Sequence, residues 1–206
     1  MTKGLQRTPA KDKILNAALS VIRRKGYAAS TVDDLCAAAG ITKGAFFHHF
    51  KSKEELAVGA AEHWTFVTNE LFAKAPYRSL SDPLERVLGY IDFRKAILRG
   101  AVPDFTCLAG TMVQEIFDTN PSIRDACQKS IFSHAAELAR DIEKAKTLYA
   151  PEAEWTAESL ALHAQAVIQG AFILAKAKQH ADVAAESISH LRRYIQFLFH
   201  PINSEK

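Results

Sequence analysis

The sequence lacks the features that would place it in a membrane, outside the cell or around a metal ion. No uninterrupted apolar run reaches the about eighteen residues that a membrane-spanning helix needs. Residues 1–13 are polar and basic with no apolar segment behind them, so we expect no secretory signal. The three cysteines are far apart and form no C-x-x-C or Cys/His cluster for zinc. These absences predict a cytoplasmic protein with reduced thiols and no bound metal.

Motifs of the common enzyme classes are also absent. The chain has no G-x-S-x-G nucleophile elbow, no P-loop, no H-E-x-x-H zinc motif and no G-x-G-x-x-G dinucleotide motif. We therefore predict no catalytic residues and no cofactor, and we interpret the chain as something other than an enzyme.

The charge of the chain is unevenly distributed. Residues 1–55 hold ten Lys+Arg and five Asp+Glu, whereas the rest of the chain has a small acidic excess. A basic head on a nearly neutral body favours binding to a polyanion, and chance is the alternative explanation.

Apolar residues recur with the period of a helix almost throughout, and strand-like alternation is nearly absent. The pattern predicts an all-α fold of about nine helices. Capping residues predict the boundaries of the first four helices. These helices begin at Thr8, at Ser30 or Thr31, at Thr42 and at Ser52, and the first two end at Gly26 and Gly40. The fourth helix runs to about residue 73. Further helices are predicted over residues 83–100, 110–118, 121–149, 157–180 and 183–200, the last capped by Asp182, with a loop over 101–109.

Residues 31–50 have the size and punctuation of a helix-turn-helix, with two short amphipathic helices joined by a tight turn at Gly40. The residues that would pack the two helices together are Val32, Leu35, Ala38 and Ile41, and the second helix would lie in the major groove of DNA. The alternative is a compact helical hairpin that does not contact DNA.

The chemistry of this second helix suits a phosphate backbone. It offers a hydroxyl with helix-start N–H groups, a glycine that lets the backbone approach closely, and cationic or hydrogen-bonding side chains. The residues concerned are Thr42, Lys43, Gly44, His48, His49, Lys51 and Lys53. His48 and His49 point about 100° apart on a helix and make poor joint metal ligands, so we predict no metal there.

The order and spacing of residues 14–56 closely resemble the TetR family of repressors. The matching residues are Ile14, Leu15, Ala17, Ala18, Gly26, Tyr27, Thr31, Val32, Leu35, Ala39, Gly40, Thr42, Lys43, Gly44, His49, Phe50, Ser52, Lys53, Glu54 and Leu56. The resemblance implies that the third helix is the recognition helix, with DNA-contact positions at Thr31, Thr42, Lys43, Gly44, Phe47, His48, His49 and Lys53. The chain departs from the family pattern at Phe47 and His48, where tyrosine is common. Phe47 has no hydroxyl for phosphate, although its ring can contact a thymine methyl group.

The resemblance also implies a DNA-binding domain over residues 1–55 and an all-helical effector-binding and dimerisation domain over residues 56–206. In that family the last two helices of each subunit form a four-helix dimer interface. We assign this role to small and apolar residues on the last two helices, which are Ala164, Ala171, Ile188, Leu191, Ile195 and Leu198. The alternative is that these residues pack in the core of a single chain.

An effector is expected between the fourth and eighth helices, in a pocket with apolar walls and a few polar groups. Our candidates for its lining are His63, Trp64, Phe66, Tyr90, Phe93, Cys107, Met112, Phe132 and Gln169. Other aromatic and polar residues of the same region are Phe117, Phe172, Gln114, His134, His163 and Gln165. Gln169 would need a polar partner on its largely apolar helix, and Cys107 is either a redox or electrophile sensor or a small buried hydrophobe. Plain core packing is the alternative for each candidate.

These features together predict a ligand-responsive transcriptional regulator. The leading interpretation is a repressor that binds a palindromic operator in double-stranded DNA as a homodimer and is released by a small-molecule effector. Two alternatives stay open at this point: a DNA-binding activator or nucleoid-associated factor without an effector, and a non-catalytic helical binding module.

Overall fold

The computed structural model describes residues 9–199, which form helices and connecting turns. Its α-helices are α1 (Pro9–Lys25), α2 (Val32–Ala39), α3 (Lys43–His49), α4 (Lys53–Ala73), α5 (Pro83–Ala96), α6 (Val102–Phe105), α7 (Leu108–Ile116), α8 (Pro121–Tyr149), α9 (Ala157–Lys178) and α10 (Asp182–Phe199). A short 3-10 helix, Pro76–Ser79, lies between α4 and α5. The described residues contain no strand, and the all-α prediction is confirmed.

The additional helix is α6, which lies inside the segment that we predicted as a loop over residues 101–109. Pro103 occupies the first turn of α6, where its missing N–H costs no helical hydrogen bond. The carboxylate of Asp104 accepts a hydrogen bond from the N–H of Ala101 at 2.9 Å and closes that turn. The prediction of a loop here was wrong, because a proline in the first turn is compatible with starting a helix.

Local capping forms the helix-turn-helix as predicted. The Thr31 hydroxyl accepts a hydrogen bond from the N–H of Asp34 at 3.1 Å, and the Asp34 carboxylate accepts one from the N–H of Thr31 at 3.0 Å. Thr31, rather than Ser30, therefore starts α2. Gly40 ends it with a φ of 60°, a conformation that favours glycine. The predicted cap at Thr8 lies outside the described residues.

Two other helix ends differ from the sequence prediction. α5 ends at Ala96, several residues before Gly100. Asp182 is the first residue of α10 and not its cap, because the carbonyl of Ala181 accepts hydrogen bonds from the N–H groups of Ala184 and Ala185.

The chain forms two compact units. Among the described residues, the head unit comprises 9–67 together with Cys107–Ser130, and the body unit comprises Thr68–Thr106 together with 131–199. α7 and the first part of α8 thus belong to the same unit as the helix-turn-helix, whereas our expected domain boundary at residues 55/56 followed the helix-turn-helix alone.

In the head unit, α1 packs against α2 and α7, and α2 packs against α3. Ile14, Ala18 and Ile22 of α1 are buried, together with Leu35 of α2 and Phe46 of α3. Burial of such apolar side chains is the main favourable contribution to folding. The helix-turn-helix is therefore held by a shared core.

In the body unit, α10 packs against α9 and α5. This packing bears on the residues that we assigned to a dimer interface. Within the single chain, at most 2% of the surface is exposed for Ala164, Ala171, Ile188, Leu191 and Ile195, and Leu198 is half-buried. The burial of the first five favours the alternative of core packing within one chain, and their role in a dimer stays a prediction.

α9 is the one helix of the described residues that is long and apolar enough to cross a membrane, judged by length and composition only. A core helix passes the same test. Because α9 packs one face against α10, its composition is weak grounds for a membrane span.

Candidate nucleic-acid interface

α3 is anchored on the head unit by aromatic packing. Phe46 is fully buried, and its ring centre lies 5.2 Å from that of Phe47 and 5.9 Å from that of Phe50. Phe50, also buried, ends the helix. At the start of α3 the hydroxyl of Thr42 accepts a hydrogen bond from the N–H of Ala45 at 3.2 Å. The helix is thereby fixed at both ends.

The other face of α3 is open to solvent. Its exposed residues are Thr42, Lys43, Gly44, Phe47 and His48, while His49 is half-buried. Phe47 is 53% exposed although it is a large apolar side chain. An exposed ring beside hydroxyl, cationic and imidazole groups can combine base-edge contacts with phosphate contacts. The structure therefore places five of the predicted DNA-contact residues on one short helix.

The two histidines of α3 form an aromatic pair. The ring centres of His48 and His49 lie 5.0 Å apart in an edge-to-face arrangement. Among the residues that the structure describes, no group of three or more His, Cys, Asp or Glu side chains could hold a metal ion.

Two carboxylates of α2 pair with lysines close to α3. Asp33 lies 2.8 Å from Lys43, and Asp34 lies 2.6 Å from Lys25. Hydrogen bonds from Lys25 and from Thr31 lower the pKa of Asp34 to about 2, and the hydrogen bond with Asp33 raises the pKa of Lys43. Exposed ion pairs of this kind contribute little to stability. A DNA phosphate can therefore replace Asp33 beside Lys43 at small cost.

Lys53 has a role within the head unit that the sequence did not predict. Its ammonium group donates to the carbonyl oxygens of Tyr27 at 3.0 Å, Ala28 at 3.4 Å and Ser30 at 2.9 Å, and it lies 4.3 Å from the centre of the Tyr27 ring. These carbonyls belong to the α1–α2 loop, residues 26–31. A lysine has three N–H donors. A phosphate would have to compete with three carbonyls for Lys53, and its role as a phosphate contact stays a prediction.

Glu115 of α7 holds the backbone N–H groups of the same loop. Its carboxylate accepts hydrogen bonds from the N–H groups of Tyr27 at 3.2 Å and Ala28 at 2.8 Å. Gly26 has a φ of 86°, and a Cβ at this position would collide with the Glu115 carboxylate. Only glycine combines this conformation with the required space. Sequence reasoning missed Glu115 because no local pattern links it to a loop more than eighty residues earlier.

Two further predicted contacts flank α3. Thr31 is exposed, and its hydroxyl donates to the Asp34 carboxylate at 2.9 Å while it caps α2. Lys51 is exposed, and its backbone N–H donates to the Glu55 carboxylate at 2.7 Å. The Lys51 side chain therefore adds a cation just after α3.

The pocket candidates are divided between the two units, and five lie in the head unit: His63, Trp64, Phe66, Cys107 and Met112. His63 is buried and lies 2.8 Å from the side-chain oxygen of Asn16. The sulfur of Cys107 accepts a hydrogen bond from the N–H of Gly110 at 3.3 Å and caps α7. Met112 is fully buried, whereas Phe66 is exposed.

In the body unit, Tyr90 and Phe93 belong to an aromatic cluster with Phe72, Tyr77 and His134. The Tyr90 hydroxyl accepts a hydrogen bond from Nε2 of Gln165 at 3.0 Å and lies 3.0 Å from Nε2 of His134. The buried glutamine of α9 is thus Gln165, whereas Gln169, which we singled out, is half-buried.

Phe132 lies apart from this aromatic cluster. It is exposed and lines an open groove of about 580 Å³ with residues of α8 and α9, among them Ala136, Ala139 and Leu162. Within the body unit the predicted lining residues are therefore spread over two places, and their role stays a prediction.

Two family profiles match the chain. Residues 14–60 match the family described as "Bacterial regulatory proteins, tetR family", and residues 83–191 match "Tetracyclin repressor-like, C-terminal domain". The second match alone spans more than half of the chain.

Two curated relatives share parts of the sequence. The chain is 41% identical over 54 residues to the uncharacterized HTH-type transcriptional regulator YerO of Bacillus subtilis, a match that covers 26% of this chain and 19% of YerO. It is 31% identical over 122 residues to the HTH-type transcriptional regulator CymR of Pseudomonas putida, which covers 58% of this chain and 56% of CymR. The matches thus span less than two thirds of the length of either relative.

The fold is similar to that of the regulatory protein TetR from Rhodobacter sphaeroides, with a TM-score of 0.80, 22% identity, and coverage of 91% of this chain and 99% of that one. The matches to the N-terminal and C-terminal family profiles agree with the helix-turn-helix and the helical body described above. The chain belongs to the TetR family of transcriptional regulators.

Proposed function

We propose that this protein is a repressor that binds a palindromic operator as a homodimer and leaves it when a small molecule binds its body unit. The observation that carries the proposal is the exposed face of α3, supported by the buried ring of Phe46. The major groove of B-DNA is wide enough for one helix. α3 is therefore the element that enters the groove.

Each exposed group on α3 has a distinct part in this proposal. Thr42 and the first N–H groups of the helix contact a phosphate, and Gly44 lets the backbone come close to it. Lys43 exchanges Asp33 for a second phosphate. The ring of Phe47 contacts a thymine methyl group, and His48 donates a hydrogen bond to the DNA.

A second copy of the chain is part of the proposal, because one short helix reads too few bases to define an operator. α9 and α10 expose large apolar side chains that are not part of the core of the chain, namely Ile173, Leu174, Tyr194 and Phe197. A Cβ at Gly170 of α9 would meet nothing within 4 Å. Exposed apolar faces of this kind support packing against a second copy.

The effector acts through linkage in this proposal. Effector and operator weaken each other's binding by the same coupling free energy, so a molecule that binds the body unit releases the DNA. The protein acts in the cytoplasm by binding alone, without catalysis.

Electrophoretic mobility shift with a duplex from the chain's own upstream region tests the proposal. We expect the dimer to bind specifically, with an affinity that falls steeply as salt rises because lysines release counterions from phosphate. Lys43→Ala/His48→Ala should abolish specific binding without changing the melting temperature, since both side chains are exposed.

The matched control is Lys74→Ala/His180→Ala, which removes the same side-chain types from exposed positions of the body unit. This control should bind DNA like the wild type. A monomer that ignores duplex DNA at low salt would contradict the proposal. Binding scattered over many sites without a palindrome would favour a nucleoid-associated factor.

A further inference from the structure

The body unit contains an arginine with an incomplete set of partners. The guanidinium carbon of Arg94 on α5 lies 5.3 Å from the ring centre of Phe72 and 5.6 Å from that of Phe172. Arg94 is half-buried, and its Nε atom is buried with no hydrogen-bond partner among the described residues. A buried N–H group without an acceptor is unfavourable, the more so when the group is charged.

No ion pair joins Arg94 to a carboxylate in the part of the chain that the structure describes. Two carboxylates of the body unit have other partners: Asp92, also on α5, pairs with Arg192 at 2.8 Å, and Asp141 of α8 pairs with Arg86 at 2.9 Å. The positive charge of Arg94 therefore faces two aromatic rings without a protein anion to offset it.

The polar groups next to the Phe72 ring are neutral and hydrogen-bond one another. The His134 ring lies 4.6 Å from that of Phe72, and its Nε2 atom lies 3.0 Å from the Tyr90 hydroxyl. Gln165 donates to that hydroxyl, so the hydroxyl proton is left for His134. Burial lowers the pKa of His134 to about 3, which keeps the ring uncharged at neutral pH. None of these groups neutralises Arg94.

A second buried polar atom of the body unit also lacks a partner among the described residues. The hydroxyl oxygen of Thr106 is fully buried and has no hydrogen-bond partner among the described residues. The ring of the preceding Phe105 lies 6.1 Å from that of Phe172, which is also the ring beneath Arg94. Native proteins rarely leave two such groups unsatisfied, and each one calls for an explanation.

We propose that Arg94 binds the carboxylate of an effector whose remaining body is apolar, either aliphatic or aromatic. The guanidinium fork fits a planar carboxylate, and one uncompensated arginine balances one negative charge. The rings of Phe72 and Phe172 beside Arg94, with Phe93 next to Phe72, provide apolar contacts for the rest of the molecule. A phosphate, with its larger charge, would need more cations than Arg94 alone provides. The inference rests on the proposed function, because it names the chemical class of the effector.

Calorimetric titration of the full chain tests the inference with hexanoate, decanoate, benzoate and phenylacetate, each beside its neutral amide. We expect at least one carboxylate to bind, and its amide to bind roughly tenfold more weakly or worse, since the charge-assisted hydrogen bonds are lost. Arg94→Met keeps an apolar stem between the rings and should lose the preference for the carboxylate. The control Arg99→Met removes an exposed arginine just after α5 and should bind like the wild type.

The inference is overturned if no carboxylate binds, if each amide binds as well as its acid, or if Arg94→Met keeps the preference. If Arg94→Met does not fold, Arg94→Lys replaces it, since lysine keeps the charge but loses the two-pronged geometry and should bind the carboxylate several-fold more weakly. Operator binding without any carboxylate is measured in parallel. If the protein does not bind the operator, only the proposed function is overturned. The binding of the carboxylate is measured separately, by the heat released in the calorimetric titration.

Discussion

The α1–α2 loop of the head unit and the region of the body unit around Arg94 differ in how far their polar groups are hydrogen-bonded. In the loop, Lys53 satisfies three carbonyl oxygens and Glu115 satisfies two N–H groups. In the body unit, Nε of Arg94 and the hydroxyl of Thr106 are buried without partners among the described residues. The comparison indicates that the polar groups of the α1–α2 loop are already satisfied within the head unit, whereas under our proposal Arg94 gains its missing partner from a ligand.

The largest expected effect concerns the closed geometry of the loop. Gly26→Ala should lower the free energy of unfolding by about 2–3 kcal/mol, because alanine is strained at a φ of 86° and its Cβ displaces Glu115. Gly44→Ala is the matched control, since the nearest atom to its Cβ, in the Thr42 side chain, is 3.8 Å away. It should leave stability unchanged or raise it by up to about 1 kcal/mol while weakening DNA binding. Urea denaturation measures the free energy of unfolding of the two variants, and mobility shift measures their DNA binding. Equal stability of the two variants would contradict the role given to Gly26 in the loop.

Acid should affect the body unit before the head unit. The pKa of His134 is lowered to about 3 by burial, so the unfolded chain binds one more proton than the native chain between about pH 6.5 and 3. Above this window His134 does not lower the free energy of unfolding. Within the window, the free energy of unfolding falls by up to about 1.4 kcal/mol per pH unit as the pH drops. In the head, the lowered pKa of Asp34 has its effect only below about pH 4, and that contribution is lost as the pH falls through about 2.

Denaturation of wild type and His134→Gln at a series of pH values checks this order. The variant should lose the His134 part of the pH dependence between about pH 6 and 4. Identical slopes for the two proteins would show that His134 is not the group concerned.

Lys53 and Lys51 provide a closer test, because both are lysines next to α3. Lys53→Met should lower stability by about 1–2 kcal/mol, since three carbonyls lose a donor, and should weaken DNA binding through the loosened loop. Lys51→Met should leave stability unchanged and reduce the slope of log affinity against log salt by about one. Thermal unfolding and a salt series of mobility shifts distinguish them. A stability loss in Lys51→Met alone would reverse the two assigned roles.

A smaller loss of stability than for Gly26→Ala or Lys53→Met is expected for Glu115→Gln. The amide keeps one acceptor oxygen but directs its NH₂ group at a backbone N–H, so we expect a loss of about 1 kcal/mol. Hydrogen exchange at Tyr27 and Ala28 should become faster than at other loop amides of the head. Unchanged exchange at these two positions would show that Glu115 does not stabilise the α1–α2 loop.

The helix-turn-helix was predictable because its determinants are local. Thr31 and Asp34 cap each other three residues apart, the Thr42 hydroxyl caps α3 by accepting from the N–H of Ala45, and Gly40 carries the positive φ. Lys53 and Glu115 were beyond reach because their partners in the loop lie far away in sequence.

The body unit was less predictable for a different reason. The period of Ile188, Leu191 and Ile195 identified an apolar face of α10, but period alone does not tell whether a face packs within one chain or between two. Arg94 gave no signal, because an arginine on an amphipathic helix is usually exposed to solvent.

The most direct test of the central claim, that α3 lies in a DNA groove, is a footprint of the full chain on its upstream duplex. We predict two protected half-sites separated by one helical turn or a multiple of it, roughly 34–36 Å per turn, and loss of both in Lys43→Ala/Phe47→Ala. Absence of protection at low ionic strength, or full protection by that variant, would contradict the account.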